Sequence, residues 1–123
     1  MQTSMLSLLV APMSVLAQSA LPTEFPADST PLTGEALQTR LSGKVFAVKT
    51  ADGSTWRLEY KSNGYLFVET SRGFRDTGTW RVEGDQACGN WQKGGRSCSA
   101  FRVKDDGLFA RRSSGEVIQL VAQ

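Results

Sequence analysis

Cys88 and Cys98 stand ten residues apart and are the two cysteines of the chain. Thiols at that spacing can ligate a metal, act as a nucleophile or join as a disulfide. A metal site needs more than two ligands, and the chain has no histidine to add. A nucleophilic cysteine needs a neighbouring base, and that histidine is missing too. A disulfide needs only proximity. A hairpin turning through Gly94 and Gly95 sets residues opposite one another when their numbers sum to about 186, which puts Cys88 across from Cys98. Such a bond closes a loop of about ten residues and stabilises the fold by about 2–3 kcal/mol through loop entropy.

The absence of histidine also removes most nucleophilic and general-base machinery. No Ser-x-x-Lys spacing follows Ala17, so a Ser–Lys pair has no motif to rest on. Paired carboxylates could serve a small hydrolase, with Glu59, Glu69, Asp76 and Glu83 as the candidates. Most acids, however, fall in turns or on outward strand positions, where water solvates them. We expect no catalytic residue, no metal and no cofactor.

Binding chemistry has better candidates. In "WQKGGRS", Lys93 and Arg96 flank a glycine pair whose backbone amides can meet an anion, and Trp91 stands beside them. Arg111 and Arg112, before "SSG", form a second basic tip. The competing reading is a solvated hairpin whose charges deter edge pairing. The formal net charge of +2 is unevenly placed. From Gln18 to Asp85 there are eight basic and nine acidic residues; from Gln86 onward there are six and three. Nucleic acid is not expected, because basic and acidic residues alternate along the strands instead of forming a basic face. Trp56, Tyr65, Phe67 and Phe74 are expected in the core.

Regular elements must position these residues. Glycines recur at 43, 53, 64, 73, 84, 94, 107 and 115, the rhythm of short strands joined by tight turns. Asn63-Gly64 and Asp106-Gly107 supply the positive φ that hairpin turns require. Between the turns lie eight strands, near 44–50, 55–61, 65–70, 76–83, 86–91, 98–104, 108–112 and 116–121. Alternation sets Trp56, Leu58 and Tyr60 on one face and Arg57 and Glu59 on the other; Gly78, Trp80 and Val82 face in. No segment is left for a parallel crossover. The fold class is all-β: an antiparallel meander of about eight strands closing into a small barrel. An open or two-layer sheet is the alternative. A barrel of such short strands fills with its own side chains and leaves little cavity.

One short helix precedes it, near 34–42. Thr33 is its N-cap, Leu37 and Leu41 share a face, and Gly43 fits the left-handed position beyond its end. It is expected to plug one end of the barrel or cover an edge. Residues 18–32, "QSALPTEFPADSTPL", form a flexible or extended leader. Residues 1–17 carry no charge and end in Val15-Leu16-Ala17, which reads as a signal peptide cleaved before Gln18. The domain proper is 33–123. An exported domain of this size can keep its disulfide.

The run from Leu32 to Leu120, with Gly78, Trp80, Cys88, Trp91, Cys98 and Gly115 in order, resembles a group of small secreted proteobacterial proteins of unknown function. The resemblance implies a lipocalin-like barrel in the cell envelope and transfers no residue role. The expectation is thus a periplasmic or secreted, non-enzymatic monomer without a stable membrane span. It would bind a small ligand or an envelope protein, as an inhibitor among other roles. A carboxylate-dependent hydrolase and a purely structural envelope protein are the alternatives.

Overall fold

The computed structural model describes residues 21–123; the signal peptide expected over 1–17 lies outside them. The elements in order are β1 (Thr30–Leu32), α1 (Gly34–Leu41), β2 (Lys44–Lys49), β3 (Thr55–Tyr60), β4 (Tyr65–Thr70), β5 (Arg75–Glu83), β6 (Gln86–Trp91), β7 (Gly95–Lys104), β8 (Gly107–Arg111) and β9 (Val117–Ala122). Each strand from β2 to β9 pairs antiparallel with its sequence neighbour. β9 then returns to β2 through Phe46↔Ala122, Ala47↔Val121 and Val48↔Leu120, closing an eight-stranded barrel. The expected meander is therefore present; Gly64 takes the expected positive φ, but in the β7–β8 turn Asp105 takes it in place of Gly107.

Strand alternation fills the interior. In β3, Leu58 and Tyr60 are buried while Thr55 and Arg57 are exposed. The outer wall carries ion pairs such as Arg57–Glu59 and Arg75–Glu69. A membrane barrel has an apolar band there instead. Among the described residues no helix is long and apolar enough to cross a membrane.

α1 closes one end of the barrel. Leu37 and Leu41 are 0 % exposed and join a cluster with Phe46, Tyr60 and Trp80. Fully burying each leucine contributes about 1.5–3 kcal/mol. Tyr60 stands edge-on to both Phe46 and Trp80, with ring centroids 6.1 and 5.2 Å away. Trp80 donates its indole N–H to the Lys61 carbonyl at 2.9 Å, so its polar edge is satisfied. Three bonds seat the helix on the turns at this end. Gly34 N–H donates to Gly84 O, Gly43 N–H to Tyr60 O, and the Arg40 guanidinium to Asp106 O. Gly43 takes φ 77°, as its place past the helix end requires. Thr33 stands at the N-cap but makes no side-chain capping bond.

Part of the leader, expected to be flexible or extended, takes an extended course. Thr30–Leu32 form a ninth strand, β1, paired with Phe101–Val103 of β7. β7 is ten residues long and β6 covers only its first half, which leaves backbone groups free for β1 to satisfy. Pro31 is tolerated because β1 is an edge strand. Further upstream, the Pro22 carbonyl accepts the Val117 N–H at 2.7 Å, and Arg102 donates to the Ser29 carbonyl at 2.7 Å. The Phe25 ring lies under both Arg111 and Arg102.

Candidate functional site

The end opposite α1 is a mouth, ringed by the turns β2–β3, β4–β5, β6–β7 and β8–β9. Below it lies a cavity of about 340 Å³. This corrects the expectation of a filled interior. The reason lies in one wall: β6 and β7 turn Ala87, Gly89, Ser97 and Ser99 inward, opposite one another in register. Large residues would fill that space, and these four cannot. Leu58, Leu66, Val68, Ile118 and Leu120 make the facing wall apolar. At Gly89 a Cβ would come within 2.9 Å of Leu66 Cδ2, so the wall sits close to its neighbour there.

Inward strand parity carries the rim. It brings Trp56, Thr70, Asp76, Trp91 and Arg112 to the mouth, with half-exposed Phe74 beside them. Among the described residues, Asp76 and Arg112 are the charged side chains of the lining. They are held very differently.

Asp76 is 5 % exposed. Its carboxylate accepts the backbone N–H of Thr77 at 2.8 Å, of Lys93 at 3.1 Å to each oxygen, and of Gly94 at 3.0 Å. Burial pushes this carboxyl up, but the amides of Lys93, Gly94 and Thr77 outweigh it and hold the group below the usual carboxylate range. A carboxylate has about four lone-pair sites, and these contacts occupy them. Arg112 is less engaged. Its guanidinium lies 4.6 Å over the Trp56 ring, and its ion pair with Glu116 spans 3.9 Å, beyond hydrogen-bonding distance.

No protein-family model matches the chain, and no curated protein or solved structure matches it.

The five residues expected to form a binding loop are not brought together. Trp91 and Arg112 line the cavity. Lys93 folds back at the rim, its ammonium donating to the Arg75 carbonyl at 2.7 Å and lying 5.4 Å from the Phe74 ring centroid. Arg96 leaves the mouth altogether. It shares the outer face with Cys98, passes 4.0 Å from Cys88 Sγ and pairs with Glu83 at 2.7 Å. Arg111 also points outward, toward Phe25 and the Thr23 carbonyl.

Cys88 and Cys98 are directly opposed and bonded. Cys88 stands opposite the exposed Arg81 of β5, so the disulfide lies on the outer face of the barrel, although Cys88 also borders the cavity. Among the described residues, Glu83, Cys88 and Cys98 have metal-like spacing. The sulfurs are oxidised and Glu83 is engaged by Arg96, so the trio offers no thiolate.

The four candidate acids are likewise dispersed. Glu59, Glu69 and Glu83 pair with arginines on the outer wall, and Asp76 is alone among acids in the cavity lining. Tyr65 and Phe67 were expected in the core but alternate outward on β4, because Leu66 and Val68 take the inward parity. Phe67 lies under Lys61 instead, with the ammonium 5.6 Å from its ring centroid.

Proposed function

We propose that this chain is an exported, non-enzymatic barrel that binds a small, mainly apolar molecule through its open mouth. The observation that carries the reading is the cavity. Its volume of about 340 Å³ falls in the range of ligand pockets, and aliphatic walls with a few polar groups are what such pockets use. Trp56, Trp91 and Phe74 at the rim add apolar area that a ligand covers on entry. The disulfide supports an oxidising compartment, periplasmic or extracellular.

Titration with the neutral dye N-phenyl-1-naphthylamine tests this. Dye fluorescence rises on binding, and Trp91 and Trp56 emission falls. Ser99→Leu fills the wall and weakens dye binding at least tenfold while its circular dichroism stays that of the parent. Equal dye binding by parent and Ser99→Leu overturns the proposal.

A further inference from the structure

We infer that the ligand is an anionic amphiphile, with its acidic head at Arg112 and its apolar tail inside the barrel. The inference rests on the cavity reading above and specifies its charge. The first ground is the contrast between the two charged lining residues. Asp76 spends its acceptor sites on three backbone amides and has none left for a cationic head. Arg112 has guanidinium donors to spare, since its ion pair with Glu116 is too long for a hydrogen bond. Stacking on Trp56 holds the guanidinium at the mouth, where a carboxylate or sulfate could take two parallel bonds.

The second ground is the charge of the two barrel ends. At the mouth, Lys49, Arg72, Arg75, Lys93, Arg111 and Arg112 stand against Asp52, Glu69, Asp76 and Glu116. At the helix end, Arg40, Lys44, Lys61, Arg81 and Lys104 stand against Glu35, Glu83, Asp85, Asp105 and Asp106. The mouth therefore carries a surplus of two positive charges (six minus four), whereas the closed end is balanced (five minus five). Such a field draws anions to the open end and orients them head outward. An apolar tail enters the cavity; the head stays where the positive charge is.

Three probes with one tail and different heads separate the cases: decanoate, decanol and decyltrimethylammonium, titrated into the disulfide-bonded protein and read by tryptophan fluorescence. Decanoate binds at least tenfold more tightly than decanol, and its advantage shrinks as salt is raised. Arg112→Gln removes most of the preference for decanoate over decanol, and circular dichroism like the parent's shows that the variant is folded. Tightest binding of decyltrimethylammonium, or Arg112→Gln retaining the decanoate preference, overturns the charge assignment while the cavity reading stands. Failure of all three probes overturns the cavity reading itself, and this inference with it.

Discussion

The carboxylate of Asp76 accepts the backbone N–H of Gly94 at 3.0 Å, across eighteen positions of sequence. It accepts the Lys93 N–H as well, so one side chain at the start of β5 holds the tip of the β6–β7 hairpin. The tip is therefore fixed from a neighbouring strand, and the disulfide ten residues long is a separate clamp on the outer wall.

Asp76→Asn removes the charge and one acceptor oxygen while keeping the shape. We expect its melting temperature to fall by several degrees at neutral pH. The folded carboxyl titrates below its ordinary range, so its stabilisation is complete above the unfolded value and lost as pH falls through the lower folded one. The gap between parent and Asp76→Asn is therefore full above about pH 5 and closes as acid protonates the parent. Thermal melts from pH 7 down to pH 2 measure it. A gap that widens in acid contradicts this role.

Reduction of Cys88–Cys98 acts on stability and leaves binding alone, because the bond lies outside the barrel wall. The double variant Cys88→Ala, Cys98→Ala should lose about 2–3 kcal/mol in urea unfolding. Its affinity for the neutral dye should stay within twofold of the parent. A large loss of dye binding in a folded double variant would show that the clamp shapes the cavity.

Gly78 on β5 lies tight against the backbone of β6. A Cβ there would collide with the Asn90 carbonyl oxygen and lie 3.0 Å from Trp91 Cα, both backbone atoms that cannot swing aside. Gly78→Ala should therefore cost about 1–3 kcal/mol, as overpacking does. The displaced strand carries Trp91, so its emission should shift too. A neutral substitution, seen as an unchanged urea midpoint, contradicts the close approach.

Much of this molecule was legible because hairpin register is local. The turn through Gly94 and Gly95 fixes which residues face each other, and so Cys88 met Cys98 as counted. The same parity rule puts Arg96 beside Cys98 on the outer face, so its departure from the mouth was within reach of the sequence. Asp76 shared a parity with Gly78, Trp80 and Val82, an acid in an inward row, and that was the signal of its special place. Its partners were not legible, since they depend on how the hairpin tip folds over β5. The cavity was hidden for a related reason. No single one of Ala87, Gly89, Ser97 and Ser99 announces a void; only their meeting on one wall makes it. The leader strand β1 was missed because Pro31 argues against a strand, and only the bare half of β7 gives it a partner.

The closure of the barrel is uneven. β2 and β3 share six registered pairs, joined by a short turn, whereas β2 and β9 share three and have no turn to hold them. This seam joins the first and last strands of the barrel, so forming it closes a long loop for few registered pairs. The molecule is thus a cylinder with a zipper along one side. We expect sub-global opening to start at that line, so the amides of Phe46–Val48 and Leu120–Ala122 should exchange with solvent before those of the hairpins.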